Sequence, residues 1–494
     1  MRISVSLIIF AVLVAGCAAE QATQPAAKPD ASSNDAYKKL EFNYQKPAIV
    51  GTEVRVAAED LPAGKTLELQ WGTVTGGWVI EDYYHFKGKK YAESTSSLGK
   101  FDVDSNGRLD ARFTIPEDYG GVHEVTALID GKPIAQNGIE VTQSFEMSPK
   151  SGPIGTPIEL RVKGLGWRTM ESTWVINWDN NAVGFISAAG TRGSAVARFR
   201  ASGPVGDHPI KVYSGYQAQS YLNYEQAPNA YLPRPDFTFR TIAGRAGTAA
   251  AYIEPYPSQP MPKTEVMIDG ASLALTPTQG PVGTRAMLRG ERFGNARSLQ
   301  LVWQTYVGSR VSGNGFEPQE RVIGEIKVGN DGKIESEISI PEDLGGLHGL
   351  VLREGEKNIA TTHFAIETSI ASMAPTSGPV GTPITIHLKG VGWTEYDNIY
   401  VATYDNAYMG YVCGFNSHGD VVINFVAAGA PGEHLIDLFP GIYQGPSTEP
   451  QLLYRQPQLT YADDHPGNKI PALHFRFEVT SGERPSVLAD LTTN

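Results

Sequence analysis

Four histidines stand in matching surroundings along this chain of 494 residues. His123 and His348 follow a Gly-Gly-x step, in Ile115-Pro-Glu-Asp-Tyr-Gly-Gly-Val-His123 and Ile340-Pro-Glu-Asp-Leu-Gly-Gly-Leu-His348. His208 and His434 follow Gly and an acid, in Gly203-Pro-Val-Gly-Asp-His208 and Gly429-Ala-Pro-Gly-Glu-His434. So many imidazoles invite a metal reading, but zinc needs three or four ligands converging on one ion. Here each histidine opens an apolar strand in a separate repeat. At such a strand start, a side chain that bonds back to the backbone holds the corner of a β-sandwich. All four are expected to be structural corners.

A second metal-like string is Asp102-Val-Asp104-Ser-Asn106-Gly107-Arg-Leu-Asp110. Acid and amide oxygens at alternate positions before a glycine are how a calcium loop begins. Position twelve would be Phe113 where a bidentate Glu is needed, and strand-like alternation follows. The related stretch Val328-Gly-Asn-Asp331-Gly332 keeps only the Asp-Gly turn. A hairpin turn accounts for both copies, so neither metal nor cofactor is expected. Known catalytic strings are absent: there is no Gly-x-Ser-x-Gly, no His-Glu-x-x-His, no Cys pair and no phosphate loop. A non-catalytic protein is expected.

Aromatic residues offer a different chemistry. Trp167 and Trp393 end strands and read as core plugs, although such rings can stack on sugars. After His208 the chain carries Tyr216, Tyr221, Tyr224 and Tyr231; after His434 it carries Tyr443, Tyr454 and Tyr461. Long connections of this kind are usually functional or disordered, and Tyr with small polar neighbours supplies contact area at low entropic cost. These tyrosines are the candidate binding loops. The competing expectation is packing between domains.

The elements that position these residues are short runs of alternating Val, Ile, Thr, Tyr and Phe between Gly and Pro turns. One opening recurs, as Pro47-Ala-Ile-Val-Gly51-Thr52, Ser151-Gly-Pro-Ile-Gly-Thr156, Gln279-Gly-Pro-Val-Gly-Thr284 and Ser377-Gly-Pro-Val-Gly-Thr382. The copies lie about 100 residues apart, the size of one immunoglobulin-like sandwich. Pro149 to Thr156, Pro277 to Thr284 and Pro375 to Thr382, with the turns Gly164-Leu-Gly166-Trp167 and Gly390-Val-Gly392-Trp393, resemble the IPT/TIG family. The first copy fits poorly, lacking the early Gly and the Gly-x-Gly-aromatic turn. The resemblance implies an all-β chain of four tandem immunoglobulin-like sandwiches and little about function.

Matching pieces recur 225 or 226 positions apart, Trp178-Asp179-Asn180 returning as Tyr404-Asp405-Asn406. Two duplicated two-domain units follow: domains at 40–143 and 144–240, then 271–368 and 369–480, a Pro/Ala/Gly-rich linker at 241–270, and a tail at 481–494. Residues 40–240 are expected to fold as a self-sufficient half.

The first residues speak of location. Arg2, an apolar run from Ile3 to Leu13 and Leu13-Val-Ala-Gly-Cys17 make an export signal, too short to span a bilayer. The string resembles the lipobox of bacterial lipoproteins, which implies that residues 1–17 are a signal ending at a lipidated Cys17. Residues 18–39 then form a flexible tether. Ala18 in place of Asp implies an outer-membrane anchor, with membrane contact through the lipid. If Cys17 is lipidated, Cys413 has no partner for a disulfide and reads as a small strand residue. A net charge of −12 argues against nucleic acid, which needs a basic face. The expectation is a lipid-anchored binding or scaffold protein of the cell envelope, meeting a protein or glycan partner. A glycan-binding accessory lipoprotein and a polysaccharide hydrolase with unrecognised carboxylates are the alternatives.

Overall fold

The structure is a computed structural model that describes residues 37–81, 85–216, 218–308, 315–414, 418–442, 455–483 and 485. Cys17, most of the tether, Tyr443, Tyr454 and the side chain of Tyr216 lie outside the described residues.

Alternation dictates the strands. In Glu53–Ala58 the side chains of Val54, Val56 and Ala58 are buried between exposed or half-buried neighbours, as a strand with one face on a core requires. The strands assemble into eight sheets, which pair in chain order as one three-stranded and one larger sheet each. In the second pair, Ser144–Ser148, Pro157–Lys163 and Ala195–Arg200 make the small sheet. Ser151–Ile154, Asp236–Arg245, Gly206–Tyr216, Trp174–Trp178 and Asn181–Ile186 make the large one, in that spatial order. Ser151–Ile154 runs parallel to its neighbour and the remaining pairings are antiparallel. A first strand shared between two sheets, its second half parallel to the last strand, is an immunoglobulin-like arrangement. The third and fourth pairs repeat it, with Gln279–Gly280 and Ser377–Pro379 as the parallel pieces, whereas in the first the parallel piece Lys38–Lys39 precedes the small-sheet strand Glu41–Asn43. The chain is all-β with immunoglobulin-like sandwiches, and its one described α-helix is the four-residue Tyr461–Asp464.

Each sandwich has its own apolar core, around Trp71, Trp174 with Trp178, Trp303, and Tyr400. The second core, however, includes Phe439, Leu459, Tyr461 and Ala472 from the fourth sandwich. Residues 40–240 thus lack four side chains of their own core, which runs against the expected self-sufficient half. The stretch 241–270 is shared among sandwiches: 241–245 end the strand Asp236–Arg245 of the second, Glu265–Val266 pairs with Lys357–Ile366 of the third, and the middle lies on the fourth. Its Ala251–Ile253 adds an edge strand antiparallel to Leu473–Thr480, and Ala251, Ile253 and Tyr256 pack on that core.

The turn at Asp104 to Gly107 does not close a hairpin. His85–Asp102 belongs to the large sheet and Leu109–Thr114 to the small one, so the turn carries the chain across the sandwich. Gly107 has φ +76°, and a Cβ there would lie 2.6 Å from Leu61 O. The glycine serves this close approach.

Candidate functional site: the buried joints and the open edge

The four histidines occupy one geometry. Each ring stacks on an aromatic of the neighbouring strand: His123 on Trp71 at 4.3 Å, His208 on Trp178 at 5.0 Å, His348 on Trp303 at 4.6 Å and His434 on Tyr404 at 5.5 Å. Each Nε2 meets the carbonyl four residues before it, at Tyr119, Pro204, Leu344 and Ala430. The Nδ1 partners divide by position. His123 and His348 meet the backbone oxygens of Gly72 and Gln304, whereas His208 and His434 meet the carboxylates of Asp179 and Asp405 at 2.6 and 2.5 Å. Bonding to Asp405 raises His434 above the usual value of 6.5, and burial lowers His348 below it. Asp179 and Asp405, legible in the sequence only as turn residues, serve as histidine partners.

The acid of the repeated Ile-Pro-Glu-Asp string is also consumed structurally. Asp118 accepts the Trp71 indole N–H at 3.0 Å and the Tyr119 amide at 2.9 Å; Asp343 accepts those of Trp303 and Leu344 at 2.7 and 2.8 Å. The signal was present in the sequence, since an acid and a tryptophan both recur in the first and third repeats. The calcium-like string is taken up likewise. Asp102 accepts from Thr66, Asp104 from the amides of Asn106 and Arg108, and Asp110 holds Arg55 through both oxygens at 2.7 Å. Among the described residues no three His, Cys, Asp or Glu are grouped to hold a metal ion.

The tyrosines separate. Tyr224 is buried, its hydroxyl accepting the Ser214 amide and its ring under the Arg234 guanidinium at 4.5 Å. Tyr461 is buried in the second core and donates to Glu254. Neither presents a surface to a partner: Tyr461 packs between the fourth sandwich and the second, and Tyr224 packs beside Tyr213 and Arg234 within the second. Tyr221 is half-buried, and Tyr231 is exposed while donating to Glu171. Trp167 is half-buried beside Tyr91, and Trp393 is buried against Tyr306 at 4.0 Å.

The joint between the second and fourth sandwiches holds a buried charged chain that no local pattern announces. The Arg200 guanidinium lies 2.6 Å from Asp437 and donates to Phe475 O at 3.1 Å. His474 bridges Asp437 at 2.6 Å and Glu254 at 3.0 Å. Burial alone would raise both carboxyls, but Arg200 and His474 hold Asp437 below its usual value, and the His474 and Tyr461 bonds do so for Glu254. Burial would lower His474, but the two carboxylates keep it raised. Alternating charges thus join the two sandwiches, with Arg200 Nε and Nη1 buried beside them without a hydrogen-bond partner among the described residues.

A cavity of about 210 Å³ lies between the third and fourth sandwiches, lined by Tyr256, Pro260, Gly345, Gly390, Asp397 and Ile470. Tyr256 there bonds to Thr368 and Asp397 accepts the Thr394 amide, so these polar groups already serve the chain.

Exposed apolar residues gather at one place. Tyr408, Met409 and Tyr411 lie on Ala407–Cys413, the edge of the fourth sandwich's large sheet, and Val422 and Val426 on Val421–Val426, the edge of its small sheet. Arg455 reaches Tyr411, its guanidinium 5.2 Å from the ring centroid.

No family model matches the sequence, and no curated protein does. Among solved structures, a tetra-tandem repeat from the extending region of a large adhesion protein is 10% identical, covering 83% of this chain and 96% of its own, at a TM-score of 0.18. The D1–D4 ectodomain fragment of ICAM-5 is 11% identical, covering 89% and 99%, at 0.19.

Proposed function

We propose that the chain is a non-catalytic binding or scaffold protein of the cell envelope, built from IPT/TIG-like sandwiches in two duplicated pairs and tethered by a lipid on Cys17. One observation carries the binding reading. The acids and imidazoles of the repeated motifs are engaged with indoles, amides and one another, while exposed apolar side chains collect on the edge formed by Ala407–Cys413 and Val421–Val426. A hydrolase would instead need carboxylates converging on open space. The lipid anchor rests on Leu13-Val-Ala-Gly-Cys17. Expression with its own leader, followed by fractionation and labelling with an alkyne-tagged fatty acid, tests it. Wild type is expected in the membrane fraction and labelled, and Cys17→Ser unlabelled and released. A wild type that is already soluble and unlabelled after export rules the anchor out.

A further inference from the structure

The second and fourth sandwiches offer the same edge in two states. In the second, the groove between Asn181–Ile186 and Ala195–Arg200 is filled by a segment from the fourth sandwich, extended at Pro457–Gln458 and then turning into the short helix Tyr461–Asp464. Phe185 donates to Pro457 O at 2.7 Å, Leu459 donates to Phe185 O at 2.9 Å, and Arg198 donates to Leu459 O at 2.9 Å. Leu459 drops into the core, and Val196 N donates to Asp463 at 2.7 Å. Around Gln458 this is a one-bridge form of strand addition, in which backbone bonds hold a peptide at a sheet edge and a pocket takes a side chain.

The fourth sandwich repeats the groove 226 positions later. The strand pairs Trp174–Trp178 with Asn181–Ile186, and Ile399–Tyr404 with Ala407–Cys413, carry the same register shift, so Val183 matches Met409 and Phe185 matches Tyr411. Ala195–Arg200 matches Val421–Val426, placing Val422 at Val196 and Val426 at Arg200. The environments are opposite. Val183, in the core that Leu459 enters, is 0% exposed, whereas Met409 is 41% exposed.

A glycine marks the difference. A Cβ on Gly184 would lie 2.4 Å from Pro457 O, because the seated segment runs that close. The matching Gly410 sits in an equally strand-like position, and a Cβ there would meet nothing within 4 Å. Glycine inside a strand weakens it and marks a place where another backbone approaches. At Gly410 no described backbone does so.

We propose that the groove between Ala407–Cys413 and Val421–Val426 binds a short peptide segment of a partner protein, of the chemistry seen at 455–464: a few backbone bonds at the edge and one Leu-like side chain flanked by polar residues. Met409 and Val422 line the apolar part, and Gly410 leaves room for the peptide backbone. The inference rests on the binding reading above and names its partner class.

The test uses the full chain and a synthetic peptide of residues 455–464, Arg-Gln-Pro-Gln-Leu-Thr-Tyr-Ala-Asp-Asp, titrated to about 1 mM. Saturable binding is expected, with slowed amide exchange confined to residues 407–413 and 421–426. The peptide with Ser in place of its Leu should not bind. Gly410→Val should leave the melting temperature unchanged or higher, since valine suits an open strand, and abolish binding. Met409→Lys should weaken binding without unfolding the chain. No binding, binding undiminished in Gly410→Val, or protection appearing at residues 181–200 would overturn the proposal. Each would leave the lipid anchor untouched, since that reading is decided by the fractionation of Cys17→Ser.

Discussion

The Arg200 guanidinium of the second sandwich lies 2.6 Å from the Asp437 carboxylate of the fourth, and both side chains are buried. The residues are 237 positions apart, yet Asp437 also bonds His474 and Arg200 also reaches the carbonyl of Phe475. Removing one member leaves an uncompensated buried charge. Arg200→Ala is expected to destabilise the chain by about 3–5 kcal/mol, and a paired Arg200→Met, Asp437→Leu variant to recover much of that. Urea unfolding of the two variants and wild type checks this. A single variant within ~0.5 kcal/mol of wild type would show that the pair adds nothing to the joint.

Leu459 completes a core built mostly from residues 147–239. Leu459→Ala should lower stability by about 2–5 kcal/mol. The isolated segment 37–240 should melt broadly, because it exposes the apolar floor that Phe439, Leu459, Tyr461 and Ala472 cover. Calorimetry of the half-chain decides the point: a sharp, reversible transition would show that the second sandwich closes without the fourth.

Tyr224 and Tyr231 lie seven residues apart and should respond differently. Tyr224→Ala removes a buried ring and is expected to cost about 3–5 kcal/mol. Tyr231→Ala removes a ring that is 56% exposed and should stay within ~1 kcal/mol, including the loss of its bond to Glu171. Thermal melts of both variants test the contrast, and equal effects would contradict the burial difference.

The corner histidines should show opposite pH dependence. His434 is raised above 6.5 by Asp405, so its native state holds the proton more tightly than the unfolded chain. Its stabilising contribution is complete below about pH 6.5 and fades as pH rises through the native value. The advantage of wild type over His434→Gln should therefore shrink on going from about pH 6 to 8. His348 is lowered by burial, so its neutral form is native, and stability is lost as pH falls from about 6.5 through the native value. The advantage over His348→Gln should shrink on acidification. Urea midpoints across this range give both slopes, and slopes of the same sign would refute the assignment.

Much of this protein was legible before folding was considered. Period-two alternation in runs such as Glu53–Ala58 fixes which face is buried, and the recurring opening at about 100-residue spacing marks each sandwich, so the all-β immunoglobulin-like fold follows from local chemistry. The histidine strings recur with their spacing, and the neighbours that hold each ring lie within one sandwich, as Trp178 and Asp179 do for His208. What pairs across sandwiches carries no local mark. Nothing near Leu459 reveals that it fills a core more than 200 residues earlier, and nothing near Arg200 names Asp437. Gly184 and Gly410 are alike in sequence, and one is covered while the other is open. A local pattern determines which side of a strand turns inward. Only the packing of one sandwich on another decides which edge is filled, because burial depends on what arrives from elsewhere in the chain.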